Sequence, residues 1–184
     1  MPNLLILYGS THGHTGKIAE RVAKAARERG ADAHVHDVGS GHDPMPADYD
    51  AVIVGASIHG GHYQRAISQW VKGYSHELGS MPSALFSSCL TAADDTEESR
   101  DASRKYIEDF VYETGWHPRM TATFAGALQY REYDFATRLV MRLLMRHGHH
   151  ETDTSRDHDY TDWNAVDRFG HDCAAMLTEE AVAK

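Results

Sequence analysis

The stretch LLILYGSTHGHT at residues 4–15 places an unbroken apolar run directly before a loop of small and hydroxyl-bearing residues. Such a run is typical of a parallel strand that helices cover on both faces. From Thr15 to Arg29, apolar residues recur at helical spacing, and Gly30 stands where a helix C-terminal cap belongs. The stretch therefore predicts a strand, a short loop and a helix as the first unit of an α/β fold.

The same alternation of strands and helices continues along the chain. Further strands are predicted at 33–38, 50–55, 84–86 and 120–128, and helices at 67–78, at 106–111 and from Trp163 onward, the last capped by Thr161 and Asp162. Connections too long for hairpins favour a parallel sheet. We therefore expect a doubly wound, flavodoxin-like sheet of five parallel strands in the order 2-1-3-4-5, with a helical insertion at about 129–160 after the last strand.

Composition narrows the class of protein. The 184 residues, 41% hydrophobic and 24% charged, fit one globular domain spanning 1–184. No apolar run approaches the roughly 20 residues of a membrane-spanning helix, and the chain starts without a basic leader, so we expect a cytoplasmic protein. The net charge of −9 disfavours a nucleic-acid binder. Cys89 and Cys173 lack CxxC spacing, which predicts two reduced, packed thiols.

The loop after the first strand is the strongest candidate binding site. It comprises Ser10, Thr11, His12, Gly13, His14 and Thr15. Hydroxyl groups and the free backbone N–H groups at a helix start suit a phosphate. The loop lacks the lysine of a P-loop and the GxGxxG of a dinucleotide site, so it favours a monophosphate. The alternative interpretation is a Ser/Thr-rich helix cap without a ligand.

Two further loops follow strands that end at the same edge of the predicted sheet. The first contains Ala56, Ser57, Ile58 and His59, followed by Gly60, Gly61, His62 and Tyr63; the second contains Ser87, Ser88, Cys89, Leu90 and Thr91. Glycines permit close approach to a flat ring, and the second loop would supply backbone donors to its polar edge. The three loops together predict one bound FMN. Surface turns are the alternative for the histidines and the tyrosine.

Several longer strings resemble one family. They are residues 7–15, Gly-Ala-Ser-Ile at 55–58, Gly-His-Tyr at 61–63, Ser-Met-Pro-Ser-Ala at 80–84, Ala-Gly-Ala-Leu-Gln-Tyr at 125–130, Glu-Thr-Asp-Thr at 151–154 and Tyr-Thr-Asp-Trp at 160–163. In these strings the chain resembles the menaquinone-dependent protoporphyrinogen oxidases, flavodoxin-like enzymes of bacterial haem synthesis. The likeness spans nearly the whole chain, and the last two strings lie outside what a generic flavodoxin needs.

The resemblance implies non-covalent FMN and the six-electron oxidation of protoporphyrinogen IX to protoporphyrin IX, with electrons passed to menaquinone or a related quinone. It transfers no catalytic acid or base, and His59, His62 and Tyr130 are candidate proton acceptors from position alone. Two other functions stay open. One is an electron-carrier flavodoxin without an organic substrate, and the other is an NAD(P)H:quinone reductase of flavodoxin fold.

The predicted insertion carries a basic amphipathic helix at 134–147. Arg138, Arg142 and Arg146 share one stripe, and the remaining surface is largely apolar. Such a helix suits docking at the cytoplasmic face of an anionic inner membrane, or an apolar wall for porphyrinogen whose propionates the arginines bind. The alternatives are packing within the domain and a homodimer interface. The histidine-rich string at 147–153 is not expected to form a functional metal site, because adjacent histidines rarely converge on one ion.

Overall fold

The computed structural model describes residues 1–94, 96–128 and 158–183. In this part of the chain the strands are β1 (Asn3–Gly9), β2 (Asp32–Asp37), β3 (Ala51–His59), β4 (His62–Tyr63), β5 (Ser83–Cys89), β6 (Met120–Ala125), β7 (Ala127–Leu128) and β8 (His158–Asp159). The helices are α1 (His14–Glu28), α2 (Arg65–Gly73), α3 (Ser75–Ser80), α4 (Glu97–Thr114) and α5 (Trp163–Ala183), with short 3₁₀ helices at Pro46–Asp48 and Leu90–Ala93.

The main sheet has the predicted topology. Its parallel strands lie in the order β2-β1-β3-β5-β6, which is 2-1-3-4-5 when the five parallel strands are numbered by themselves. The additional strand β4 pairs antiparallel with the end of β3. The strand order reverses between β1 and β3, and ligands of open α/β sheets bind at such a switch point.

Side chains alternate between two apolar layers, as expected for strands buried on both faces. Leu4 and Ile6 of β1 face a core that includes Ile18 of α1 and Phe169 of α5. Their neighbour Leu5 faces a second core. The helical members of that second core are Ile67, Trp70 and Val71 of α2, Leu78 of α3, and Phe110 of α4. The sheet is therefore covered by α1 and α5 on one face and by α2, α3 and α4 on the other.

Several boundaries differ from the sequence prediction, and three of the differences have a clear structural cause. The third strand continues past Gly55 to His59, because its last two residues pair with β4. The single helix predicted at 67–78 is divided at Tyr74, whose backbone (φ −121°, ψ 19°) leaves the helical region. The fifth strand ends at Ala125, and residues 127–128 form β7, which pairs antiparallel with β8. In each case the boundary depends on a partner or a turn that periodicity does not encode.

Two local predictions are confirmed. Asp162 caps α5, since its Oδ1 accepts hydrogen bonds from the backbone N–H groups of Asn164 (3.0 Å) and Ala165 (3.1 Å). Cys89 and Cys173 are both buried and unbridged. Burial raises the pKa of both thiols, so neither is a ready nucleophile.

Candidate functional site

The loop at 10–15, which the sequence predicts to bind a phosphate and which we call the phosphate loop for that reason, joins β1 to α1 at the carboxyl edge of the sheet. Gly13 is the N-cap residue of α1 and has a φ of 80°, a left-handed conformation that favours glycine. No described side chain caps this helix. The first-turn N–H groups of an α-helix have no partner within the helix, so the start of α1 presents several donors and a positive dipole end to an anion.

One side of the loop is held by a residue that the sequence analysis did not select. Gln64 donates a hydrogen bond from Nε2 to Oγ1 of Thr11 at 2.9 Å. A Cβ atom on Gly9 would lie 2.0 Å from Oε1 of Gln64, so the glycine at the end of β1 makes room for this amide. Nothing in the sequence marks Gln64, because 53 residues separate it from Thr11.

The other side of the loop is fastened through His14. Its Nε2 lies 2.8 Å from Oγ1 of Thr161, and Thr161 Oγ1 donates to the carbonyl oxygen of Ala125 at 2.9 Å. A hydroxyl has one proton to donate, so Thr161 accepts from His14, which therefore carries its proton on Nε2. Burial lowers the pKa of His14, against a smaller opposite effect of Asp159. The imidazole ring of His14 therefore has a structural role, whereas its backbone N–H group lies at the start of α1.

The second predicted loop is largely a strand. Ala56, Ser57, Ile58 and His59 belong to β3, and Gly60 and Gly61 form the hairpin turn with φ values of 58° and 83°. Positive φ at both central residues is what a tight hairpin turn of this kind requires. The hairpin places Tyr63 over α4, where its ring centroid lies 4.5 Å from that of Phe110.

Two histidines connect the first and second loops. The ring centroids of His12 and His59 lie 5.8 Å apart in an edge-to-face arrangement. Partial desolvation lowers the pKa of His59, and the charge of His12 lowers it further. An imidazole of lowered pKa stays neutral at pH 7 and has a lone pair that can accept a proton.

A buried hydroxyl without a partner lies between these loops. Ser57 is buried, and its Oγ has no hydrogen-bond partner among the described residues. Ser57 stands opposite Ser88 of β5 in the sheet register. A buried hydroxyl normally has a partner, because leaving it unpaired costs about 1–3 kcal/mol. This orphaned oxygen, beside the uncapped start of α1, fits a ligand rich in phosphate and hydroxyl groups.

The third predicted loop, at 87–91, begins later in the structure than predicted. Ser87, Ser88 and Cys89 lie in β5, and their strand is paired on both sides. Leu90 and Thr91 lie in the following 3₁₀ helix. The backbone donors expected from this stretch therefore have to come from the residues after Cys89.

The structure brings the three stretches to one edge. Gly9 of β1 is level with Ala56 of β3, Ser57 of β3 is level with Ser88 of β5, and Cys89 is level with Ala125 of β6. His62 is exposed on β4 at the same edge. The result is a continuous cradle from the phosphate loop, past the β3–β4 hairpin, to the 3₁₀ helix after β5.

Several predicted features lie outside the described residues. They are Tyr130, Arg138, Arg142, Arg146, most of the insertion, including the helix at 134–147, and the histidine-rich string at 147–153. Over the described ranges, no group of three or more His, Cys, Asp or Glu residues could hold a metal ion. In the same ranges no helix combines the length and apolarity needed to cross a membrane.

Comparison with known proteins identifies relatives over most of the chain. Residues 5–155 match the family model described as a flavodoxin domain. A Leishmania major protein named protoporphyrinogen IX dehydrogenase (quinone) is 38% identical over 176 residues, which are 95% of this chain and 76% of the relative. An Escherichia coli K12 protein of the same name is 36% identical over 180 residues, 98% of each chain.

Solved structures agree on the fold. Oxidised flavodoxin 1 from Bacillus cereus matches with a TM-score of 0.55 and 15% identity over 96% of this chain and 97% of that one. Two-electron reduced flavodoxin from Megasphaera elsdenii matches with a TM-score of 0.56 and 17% identity over 94% of this chain and 98% of that one. At these identities the likeness shows the flavodoxin fold alone.

Proposed function

This chain belongs to the flavodoxin domain family, and from that premise we propose that it oxidises protoporphyrinogen IX with bound FMN and a quinone, such as menaquinone, as electron acceptor. The structural observation that carries the flavin part is the uncapped start of α1 beside the orphaned hydroxyl of Ser57. The substrate and the acceptor follow from the names of the relatives.

Different residues of the cradle would bind the phosphate and the flavin ring of FMN. The hydroxyls of Ser10, Thr11 and Thr15 and the N–H groups of the first turn of α1 would hold the phosphate. The ring would lie between residues 56–59 and residues 87–91. When bound, the flavin supplies a two-electron acceptor that the quinone can regenerate.

The reaction requires a proton acceptor as well as an electron acceptor. Protoporphyrinogen IX loses six electrons and six protons on becoming protoporphyrin IX, so three quinones become three quinols. Of the three candidates at positions 59, 62 and 130, we assign His59 as the acceptor, because its ring lies 5.8 Å from that of His12 in the loop before α1 and burial favours its neutral form by lowering its pKa. The assignment predicts that His59→Gln lowers kcat and removes an ionisation from its pH profile.

The predicted basic helix has a role in the same proposal. We assign Arg138, Arg142 and Arg146 to contact with the cytoplasmic face of the membrane that holds the quinone. Flotation with anionic liposomes would compare the wild type with the Arg138→Glu, Arg142→Glu, Arg146→Glu variant. Loss of flotation in the variant is expected, and equal flotation would contradict the membrane contact.

The decisive test of function is anaerobic porphyrin fluorescence. FMN-reconstituted protein is incubated with protoporphyrinogen IX, with and without menaquinone, against samples without protein and without FMN. Anaerobic conditions suppress spontaneous oxidation, so fluorescence that needs protein, FMN and quinone together is the expected result. A protein that holds FMN and reduces cleanly yet forms no porphyrin would instead be an electron carrier or another quinone reductase.

A further inference from the structure

A cleft lies beside the cradle, between α4 and the edge strand β6. Its volume is about 610 Å³, which falls in the range of about 300–1,000 Å³ typical of small-molecule sites. Ser99, Ser103 and Ile107 of α4 line it at intervals of four residues. Thr121 and Thr123, on one face of β6, line the opposite side. We refer to this space as the α4–β6 cleft.

Two guanidinium groups belong to the lining of the cleft. Arg100 and Arg104 are four residues apart on α4 and therefore lie one turn above each other on the same side of the helix. Arginine binds carboxylates through two parallel N–H···O hydrogen bonds. The pair is thus spaced to hold two carboxylates attached to one ligand.

Two acidic residues, Asp94 and Asp162, also line the cleft. Asp162 caps α5 and lies 3.6 Å from Nη2 of Arg168, so its carboxylate already has other contacts. Arg104 has an exposed ion pair with Asp101 at 3.1 Å, and exposed pairs of this kind are worth about 0–1 kcal/mol. A ligand carboxylate in the cleft can therefore compete for Arg104. It would likewise have to compete with the contacts that Arg100 makes within the protein.

The cleft adjoins the proposed flavin site. Ala92 lines the cleft and lies in the 3₁₀ helix Leu90–Ala93, directly after Thr91, which we assign to the flavin ring. The side chains at 91–93 are Thr, Ala and Ala, so the part of this helix nearest the cleft carries only small side chains. A flat ligand in the cleft could extend over the 3₁₀ helix toward the ring.

We propose that the α4–β6 cleft binds the carboxylate-bearing edge of the tetrapyrrole substrate, with Arg100 and Arg104 as the partners of its two propionates. The inference rests on the proposed function and adds the place and the contacts of the substrate. The same contacts would supply the selectivity, because a tetrapyrrole without free carboxylates would form neither charge-assisted contact and bind weakly.

The test is a titration of FMN-loaded protein with protoporphyrin IX. Binding is measured by the fluorescence anisotropy of the porphyrin. The test variant is Arg100→Gln, Arg104→Gln. The matched control is Lys24→Gln, Arg29→Gln, which removes the same charge from the exposed face of α1. A second variant, Thr121→Trp, places a large side chain in the cleft from an exposed position on β6 and does not change the charge of the protein.

We expect the double arginine variant to bind protoporphyrin IX at least tenfold more weakly than the wild type, and the control to stay within twofold. Protoporphyrin dimethyl ester should bind the wild type as weakly as protoporphyrin binds the variant. Thr121→Trp should also weaken binding, while FMN affinity stays unchanged in all variants. Equal affinity of the arginine variant and the wild type would overturn the proposal.

The same variants separate this inference from the function itself. If the wild type forms porphyrin and the arginine variant does so with an unchanged KM, the cleft assignment is wrong and the activity stands. If the wild type forms no porphyrin, the proposed function is wrong, and the titration still decides whether the cleft takes a dicarboxylate macrocycle.

Discussion

Ser57 contributes a buried hydroxyl that the protein alone leaves without a partner among its described residues. Ser57→Ala should raise the free energy of unfolding of the FMN-free protein by up to about 1 kcal/mol, because it removes an unsatisfied group. The same change should weaken FMN binding about tenfold, because the ligand loses a hydrogen bond. Urea unfolding and fluorescence titration measure the two effects.

Ser83→Ala is the control for Ser57→Ala, because the two changes should have opposite effects on stability and only the change at Ser57 should affect FMN affinity. The hydroxyl of Ser83 is buried, donates to the carbonyl oxygen of Leu78 at 2.7 Å and accepts from Nε1 of Trp116 at 3.1 Å. Its loss should destabilise the FMN-free protein by about 1–3 kcal/mol and leave FMN affinity unchanged. A destabilised Ser57→Ala protein with normal FMN affinity would show that Ser57 belongs to the core and not to the site.

Gln64 is expected to position the phosphate loop through Thr11. Gln64→Leu should raise the Kd for FMN about threefold to tenfold, the range of one lost hydrogen bond. Affinity for riboflavin, which lacks the phosphate, should not change. Gln69→Leu, on the exposed side of α2, which begins directly after Gln64, is the control. A parallel loss of riboflavin affinity would instead indicate a general distortion of the cradle.

His14 should make stability depend on pH. Burial holds its folded pKa below the ordinary value of 6.5, so the unfolded chain takes up the proton first as the pH falls. The free energy of unfolding is therefore intact above about pH 6.5 and decreases as the pH falls toward the lower folded pKa. Urea unfolding at pH 7.5 and 5.5 should show a smaller decrease for His14→Gln than for the wild type.

The chain has fourteen histidines, and the other thirteen are present in both the wild type and His14→Gln. Their titration therefore contributes equally to the pH dependence of both proteins. His42→Gln, in an exposed loop, should keep the wild-type dependence. Identical pH dependence of the wild type and His14→Gln would mean that the burial of His14 does not disfavour the protonated ring.

Helices α1 and α5 pack closely against each other at Gly170. A Cβ atom on Gly170 would lie 2.7 Å from Cβ of Ala25 and 2.8 Å from the carbonyl oxygen of Val22. Gly170→Ala should therefore destabilise the protein by about 1–3 kcal/mol through overpacking, although alanine is the better helix former. Denaturant unfolding measures the change.

Gly79 in α3 is the matched control, because a Cβ atom there meets open space. Gly79→Ala should be neutral or stabilising by about 0.5–1 kcal/mol. If both glycine variants were stabilised equally, helix propensity and not the α1–α5 contact would govern these positions.

The type of each helix or strand was largely predictable from the sequence, but the residues at which it begins and ends were not. The apolar run at 4–7 and the helical spacing from Thr15 each depend on neighbours in sequence, so periodicity captures them. The end of β3 at His59 depends on pairing with β4. The end of β6 depends on Gly126, whose N–H donates to the carbonyl oxygen of Cys89 at 3.0 Å. Such partners are set by the fold.

For the whole molecule, FMN should act as a stabilising ligand of the folded state. At 100 times its Kd, a ligand adds about 2.7 kcal/mol, which for a domain of this size corresponds to a Tm increase of roughly 5–11 °C. Differential scanning calorimetry with FMN and with riboflavin at equal concentration tests this. A smaller shift with riboflavin is expected, and equal shifts would argue against a phosphate site at α1.

The sequence by itself determined the α/β class and the alternation of strands and helices, because these follow from local periodicity. It predicted the strand order from the doubly wound pattern, and a phosphate loop from residue types that recur at a helix start. Only the tertiary structure decided which side chains serve that loop. Gln64 reaches Thr11, His14 reaches Thr161, and α4 faces β6 across the cleft. These contacts join residues far apart in the chain, and their formation depends on packing geometry that no local pattern encodes.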